Sequence, residues 1–162
     1  QTMETPNAIT VSINPSVRVA SLRAQIESFM EQGGMWKQLH AFLNESNVVA
    51  SGPTLMVLHG QSDPIDVEVC VPIAASVVLP THDKITTRDL PEETIASLKH
   101  QGPMNDVGSL YPRLKEWIGN SGFVASGPSR EVYLELPAFG SPTSAYNNCS
   151  YEVQFPIKEK PE

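Results

Sequence analysis

The sequence has few basic residues, and they are not clustered. Lys and Arg together number 11 against 18 Asp and Glu, which gives a formal net charge of -7. A domain that binds nucleic acid directly needs a concentrated patch or stripe of positive charge. We therefore expect no direct binding of DNA or RNA by this chain. Its acidic character would suit a cationic partner, or simply serve solubility.

Long apolar runs are also missing. No window approaches the roughly 18 uninterrupted apolar residues of a membrane-spanning helix, and the N-terminus lacks the charged-then-apolar layout of a signal peptide. The chain begins at Gln1 rather than at a methionine. This is expected of an excised domain or of a chain that has lost a tag or leader. We predict no membrane association and a soluble, cytoplasmic protein.

Residues that hold metals or act as nucleophiles are scarce. The chain has 2 cysteines and 4 histidines, and neither type recurs at the short spacing of a metal site. Gly33-Gly34 lacks the order of a phosphate-binding loop, in which a strand is followed by a glycine-rich loop and then by Lys-Ser/Thr. Ser51 and Ser126 lack the flanking glycines of a hydrolase nucleophile elbow. No metal ligand, cofactor or nucleophile is predicted.

What the sequence does contain is an internal repeat. The pentapeptide Val-Ala-Ser-Gly-Pro at 49–53 recurs at 124–128, and the similarity extends well beyond it on both sides. A duplicated unit of this length indicates a fold of two similar halves with a seam between them. We expect a single domain, 1–162, built from two copies at about 9–73 and 85–158 that share one core.

Hydrophobic alternation and turn residues predict the same order of elements in each copy: two strands, a helix and two more strands. The first helix is expected to break or bend at Gly33-Gly34, and the second to end near Gly119 or Gly122. The segment 137–148 is rich in small and turn-forming residues and is predicted to be an exposed loop. The predicted strands lie at 8–13, 17–23, 54–59, 65–73, 85–89, 93–100, 129–136 and 151–158, and the helices at about 26–43 and 107–118.

Alternation along the strand 129–136 divides its side chains between two faces. The aliphatic residues Val132 and Leu134 are expected to pack under the helix, which places Glu131 and Tyr133 on the opposite face. By the same argument, Glu152 in the last strand also faces away from the helix. This face would then carry carboxylates among aromatic side chains.

The two copies differ most clearly at this position. Glu131 stands where the first copy has Met56, and Tyr133 stands where it has Leu58. A carboxylate on an otherwise apolar face needs a partner, because burying it unpaired costs several kcal/mol or forces it to take up a proton. Two explanations remain open: a cationic or hydrogen-bonding ligand supplies the partner, or Glu131 lies at a solvated sheet edge beside Arg130.

Several segments of the second copy resemble, in their order, a known family. They are His-Gln-Gly-Pro at 100–103, Leu-Tyr at 110–111, Gly-Pro-Ser-Arg-Glu-Val-Tyr at 127–133 and Tyr-Glu-Val-Gln-Phe-Pro-Ile at 151–157. Over about 9–158 the chain resembles the gyrase-inhibitor-like small-molecule-binding domain. In that family the domain is the effector-binding part of many MerR-type and AraC-type multidrug-sensing transcription regulators, and it also occurs alone.

The resemblance implies an α+β fold of duplicated β-α-β-β modules related by a pseudo-twofold axis, with antiparallel strands, two helices on one side and a ligand cleft between the halves. It also implies that Glu131 is the buried acid that engages lipophilic cations. Met104 occupies a position where family members often have an aromatic residue, which suits a promiscuous pocket but removes a possible hydroxyl donor. The candidate ligand-binding residues are Glu131, Tyr111, Tyr133, Tyr146, Trp36, Met104, Met56 and Glu152.

Three functions are compatible with this resemblance. The first is a sensor that binds an aromatic or lipophilic cation and passes the signal to a DNA-binding domain outside this chain. The second is a stand-alone hydrolase of reactive electrophilic small molecules, in which Glu131 would act as general base on a water and Tyr111 or Tyr133 would protonate the leaving atom. The third is a protein-interaction module resembling the gyrase inhibitors themselves.

Overall fold

The structure is a computed structural model that describes residues 8–138 and 141–162. Within these residues it contains two α-helices and nine strands, which confirms the predicted α+β class. The strands are β1 (Ile9–Asn14), β2 (Val17–Ile26), β3 (Thr54–Gly60), β4 (Ile65–Pro72), β5 (Ile85–Leu90), β6 (Glu93–Gly102), β7 (Phe123–Ala125), β8 (Ser129–Glu135) and β9 (Cys149–Glu159), and the helices are α1 (Gln32–Glu45) and α2 (Val107–Asn120).

The chain forms two compact units whose limits differ from those of the sequence repeats. The first unit is Pro15–Glu92, and the second combines β1 with Glu93–Glu162. The opening strand of each copy thus lies in the unit of the other copy. β1 pairs with β6, and β5 pairs with β2. Alternation in the sequence predicted both strands, but it carries no information about which strand each would pair with.

Within each unit the strand pairs are antiparallel. In the first unit the order is β3-β4-β2-β5. In the second it is β1-β6-β9-β8, and the short strand β7 pairs with the C-terminal part of β9. β9 therefore holds the second unit together, because three other strands pair with it.

The repeated connectors have the same structural role in both units. The N–H of Ser51 donates to the carbonyl of Pro72 at 2.8 Å, and the N–H of Ser126 donates to the carbonyl of Pro156 at the same distance. Each connector thus joins the chain that leads into β3 or β8 to a proline of the neighbouring repeat strand, β4 or β9. The repeated pentapeptide thus makes the same backbone contact in both units.

The first helix differs from expectation at its start. α1 runs without interruption through Gly33-Gly34, so the predicted break is wrong. A capping box precedes the helix, in which the Glu31 carboxylate accepts from the N–H of Ser28 at 2.9 Å. The glycines occupy the first turn, where each costs about 1 kcal/mol relative to alanine. That cost is offset by burial of the apolar residues that follow, which are Met35, Leu39 and Leu43.

The second helix ends as predicted. α2 stops at Asn120, and Gly122 follows with φ of 81°, a left-handed conformation that favours glycine. The buried stripe of α2 consists of Leu110, Leu114 and Ile118. In the described part of the chain, neither α1 nor α2 has the length and apolar character needed to cross a membrane.

Candidate functional site

The register of β8 and β9 decides which face Glu131 occupies. Glu131 pairs with Val153, and Tyr133 pairs with Tyr151. Directly opposed residues on neighbouring strands project from the same face. Phe155, two residues beyond Val153, contacts the ring of Tyr111 on α2, with ring centroids 6.1 Å apart. Glu131 and Tyr133 therefore lie on the face that packs against α2.

The predicted assignment of faces in this strand is consequently wrong. The aliphatic residues Val132 and Leu134 are half-exposed, whereas Glu131 and Tyr133 are each 8% exposed. Alternation separates the side chains into two sets, but it does not say which set is inward when both contain apolar groups. The burial of Glu131 also excludes the solvated sheet edge as an explanation of this residue.

Two tyrosines hold the Glu131 carboxylate. The hydroxyl of Tyr111, on α2, donates to Glu131 Oε2 at 2.5 Å, and the hydroxyl of Tyr133, on β8, donates to Oε1 at 2.9 Å. Each carboxylate oxygen thus has a phenolic donor. Hydrogen bonds of this kind to an ionised acceptor are short and roughly twice as strong as neutral ones.

Burial governs the protonation of this cluster. It raises the pKa of Glu131, and the two tyrosine hydrogen bonds oppose that rise by favouring the ionised form. The pKa values of Tyr111 and Tyr133 are raised as well, first by burial and then by the charge of Glu131. Both tyrosines therefore stay protonated donors, and Glu131 is the group whose charge can change.

A second set of contacts fixes the segment that leads into α2. The Tyr151 hydroxyl donates to the carbonyl of Pro103 at 2.8 Å. His100 Nε2 lies 3.0 Å from Asp106 Oδ2, and its ring meets Tyr151 edge-on. Met104, one of the predicted ligand-binding residues, lies half-exposed in the turn that these contacts hold.

Other predicted site residues of the second unit lie apart from these hydrogen bonds. Tyr146 is half-exposed in a 3-10 turn, Thr143–Asn147, and its carbonyl accepts from the Cys149 thiol. Glu152 accepts from the Gln154 amide and, being the neighbour of Val153 on β9, projects from the face opposite to Glu131. The predicted loop at 137–148 lies partly outside the described residues, because these omit 139 and 140.

Two predicted site residues belong to the first unit. Met56 is 1% exposed and pairs with Val69, in the register that Glu131 and Val153 have in the second unit. Trp36 lies half-buried on α1, where its indole N–H donates to Gln32 Oε1 at 2.9 Å. The carboxylate of one copy is thus replaced in the other by a buried thioether, as the comparison of the repeats suggested.

The first unit holds a buried carboxylate of its own, Glu68, on the face that does not carry Met56. Arg88 donates to both of its oxygens at 2.7 Å, and His59 Nε2 lies 2.9 Å from Oε1. The pKa of Glu68 falls to about 2, because these partners outweigh its burial. Glu68 is already neutralised by the Arg88 guanidinium, whereas the donors on Glu131 are neutral hydroxyls. Glu131 is therefore the better candidate for binding a cation.

Sequence reasoning missed one aromatic residue beside Glu131. Phe155 is 7% exposed and contacts Tyr111, so its ring forms part of the surroundings of the acid. Its place two residues after Val153, in the alternating set of β9 that faces α2, was the available signal. Within residues 8–138 and 141–162, no group of three or more His, Cys, Asp or Glu side chains is arranged to hold a metal ion.

The chain can be compared with known proteins through its sequence and its fold. A family model described as "GyrI-like small molecule binding domain" matches residues 11–158. The C-terminal domain of EcmrR is 17% identical with a TM-score of 0.83, covering 96% of this chain and 99% of that one. EcmrR in an EcmrR–DNA complex is 18% identical with a TM-score of 0.82. The match covers 96% of this chain and 59% of that EcmrR chain.

Two further structures share the fold. A hydrolase from Listeria innocua is 10% identical with a TM-score of 0.68, covering 96% of this chain and 94% of that one. SAV2435 bound to tetraphenylphosphonium is 13% identical with a TM-score of 0.56, covering 93% of this chain and 94% of that one. At these identities the similarity establishes the fold alone. No curated protein sequence gives a significant match to this chain.

Proposed function

Since the chain belongs to the GyrI-like small-molecule-binding family, we propose that it binds aromatic, lipophilic cations at Glu131 and serves as the effector-binding sensor of a transcription regulator. The observation that carries this proposal is the buried carboxylate held between two neutral donors. Within the described residues the Glu131 carboxylate accepts from two neutral hydroxyls, and the ligand's positive charge would supply a counter-charge.

The energetics favour a lipophilic cation over a strongly hydrated one. A charge about 5 Å from Glu131 gains about 3 kcal/mol at an effective dielectric constant of about 20. A phosphonium or a substituted ammonium is weakly hydrated, so the free-energy cost of removing it from water offsets little of this gain. The neighbouring rings of Tyr111 and Phe155 can each add roughly 0.5 to 2 kcal/mol through cation–π contact.

The comparisons support both parts of the proposal by analogy. SAV2435, which shares the fold, has been seen with an aromatic cation, and EcmrR has been seen on DNA. Because this chain spans only 59% of that EcmrR chain and lacks a basic cluster, the DNA-binding part of the proposed regulator lies outside it. A sensor of this type would work in the cytoplasm, where its DNA is.

The hydrolase with the same fold raises the second function considered from the sequence. A general base needs an oxygen available to a water, and a general acid must donate to the leaving atom. Here both oxygens of Glu131 already accept from tyrosines, and both tyrosine hydroxyls donate to Glu131. A carboxylate oxygen can accept a second hydrogen bond, so these contacts do not block a water. They do direct both tyrosine protons to Glu131 rather than to a leaving atom, which favours cation binding over turnover.

Calorimetric titration of tetraphenylphosphonium tests the proposal. We expect the wild type to bind, and Glu131→Gln to bind roughly 10- to 100-fold more weakly because the opposite charge is lost. Glu152→Gln is the matched control, since it removes a carboxylate from the other face of the neighbouring strand and should leave the affinity unchanged. Turnover of an aryl epoxide is assayed on the same three proteins.

Three results would contradict the proposal. If Glu131→Gln binds as tightly as the wild type, Glu131 is not the cation site. If Glu152→Gln loses as much affinity as Glu131→Gln, the effect is one of net charge alone. If the wild type hydrolyses the epoxide and Glu131→Gln does not, the chain is a hydrolase.

A further inference from the structure

A lysine of α2 lies beside the aromatic group that adjoins Glu131. Lys115 is four residues after Tyr111, so the two side chains lie on the same side of the helix, one turn apart. The Nζ atom of Lys115 is 5.9 Å from the centroid of the Phe155 ring. The same ring contacts Tyr111, whose hydroxyl donates to Glu131.

The protein's own cation therefore lies on an aromatic ring that an aromatic cation would use. Phe155 is 7% exposed, whereas Lys115 is an exposed residue, so the ammonium lies on the solvent side of a nearly covered ring. Within about 6 Å of a ring centroid, a cation is attracted by the ring's negative face. A ligand's positive group on this side would have to displace Lys115 and would be repelled by it.

An anionic group of a ligand on the same side would be attracted by the Lys115 ammonium rather than repelled. It would lie near an ammonium at the solvent boundary, where an ion pair contributes little but favourable energy. Positive charge is thus favoured at Glu131 and negative charge at Lys115, with the Phe155 and Tyr111 rings between the two.

We propose that Lys115 is a specificity-determining residue, which disfavours purely cationic ligands and favours amphoteric aromatic ligands carrying an anionic group on the side away from their cationic centre. This inference rests on the proposed function, because it refines the ligand class of the same site. It assigns that site a polarity along the ligand, with positive charge toward Glu131 on β8 and negative charge toward the exposed ammonium of Lys115 on α2.

Two probes that differ by a single carboxylate test this polarity. Tetraphenylphosphonium is a pure cation, and (4-carboxyphenyl)triphenylphosphonium is the same cation with one carboxylate on a ring. The readout is the ratio of their dissociation constants, in which general effects on the site cancel. Each protein is titrated with both probes at pH 7, and thermal melting confirms that every variant is folded.

We expect Lys115→Met to bind tetraphenylphosphonium about 2- to 5-fold more tightly, because a resident cation–π contact and a like charge are removed. The affinity of the same variant for the carboxylated probe should stay unchanged or fall. The ratio of the two dissociation constants should therefore shift roughly 5- to 10-fold in favour of tetraphenylphosphonium. Lys115→Arg keeps the charge and should keep the wild-type ratio.

Lys158→Met is the matched control. It removes the same charge from an exposed lysine of the second unit, three residues along β9 from Phe155, which is about 10 Å at about 3.3 Å per residue and on the opposite face of the strand. Its ratio should equal that of the wild type. Equal ratios in Lys115→Met and wild type, or equal shifts in Lys115→Met and Lys158→Met, would overturn the role of Lys115.

Failure of this inference is distinguishable from failure of the proposed function. If the wild type binds tetraphenylphosphonium in a Glu131-dependent manner and the ratio does not respond to Lys115, only the role of Lys115 is wrong. If the wild type binds neither probe, the cation-binding function is wrong, and the role of Lys115 falls with it.

Discussion

Replacing Glu68 by glutamine should destabilise the protein in a pH-dependent manner. Glu68 is buried, and its side chain accepts from Arg88 at both oxygens and contacts His59. These partners lower its pKa from 4.5 to about 2. A depression of that size corresponds to roughly 3 kcal/mol of stability, at about 1.36 kcal/mol per pKa unit.

The sign of the pH effect follows from the direction of this shift. A carboxyl whose pKa is lower in the folded state binds its proton more readily in the unfolded state. Its contribution to stability is therefore complete above the unfolded pKa of 4.5 and disappears as the pH falls through about 2. The Arg88 side chain is 39% exposed, so solvent compensates for part of the lost pair in the variant. We expect Glu68→Gln to cost roughly 2 to 3 kcal/mol at pH 7.

Urea unfolding of the wild type and Glu68→Gln at several pH values measures this difference. The gap between the two proteins should be largest at neutral pH and should close as the pH approaches 2. Asp66→Asn is the control, because the partner of Asp66, Arg23, is 54% exposed, and the substitution should cost at most about 1 kcal/mol. A cost for Glu68→Gln below 1 kcal/mol, or a gap that does not change with pH, would refute this reasoning.

Three further expectations concern the second unit. Binding of tetraphenylphosphonium should strengthen as the pH rises and level off once Glu131 is ionised, with a midpoint above the ordinary glutamate pKa; titrations between about pH 4 and pH 8 measure this. Tyr111→Phe should move that midpoint to higher pH, because the ionised carboxylate loses a donor, whereas Tyr151→Phe, whose hydroxyl donates to a backbone carbonyl, should move it less. Gly102→Ala should lower the free energy of unfolding by roughly 1 to 3 kcal/mol in thermal unfolding, since φ is +156° and the new methyl would lie 3.0 Å from a histidine nitrogen. Gly108→Ala on α2 is the control. A methyl there has open space, so the substitution should be neutral or stabilising.

The secondary structure could be predicted largely from local sequence. Alternation and turn residues located eight of the strands to within a few residues and placed both helices. The short strand β7 was missed, because three residues are too few to show a period. Strand partners could not be predicted either. Pairing of β1 with β6 depends on tertiary packing, and the internal repeat does not predict which strands become neighbours.

The candidate site was predicted in its residues but not in its geometry. Glu131 and Tyr133 were identified because they break the symmetry of the repeat, and Tyr111 came from the family resemblance. Their placement on the face away from the helix was wrong, because an aliphatic set was assumed to be the inward one. Only the register with β9 shows that the acid and its tyrosines are inward. Phe155 carried a signal only through its place in the alternating set of β9 that faces α2, and Lys115 became relevant through its contact with that ring.

Measuring the pKa of Glu131 by carboxyl carbon-13 NMR, with and without saturating tetraphenylphosphonium, tests the central claim most directly. In the free protein the pKa should lie above that of an ordinary glutamate, because burial raises it. With the cation bound it should fall, because a nearby positive charge favours the ionised form. A resonance with an ordinary pKa in the free protein, or one that is the same with and without the cation, would contradict the assignment of Glu131 as the cation-binding acid.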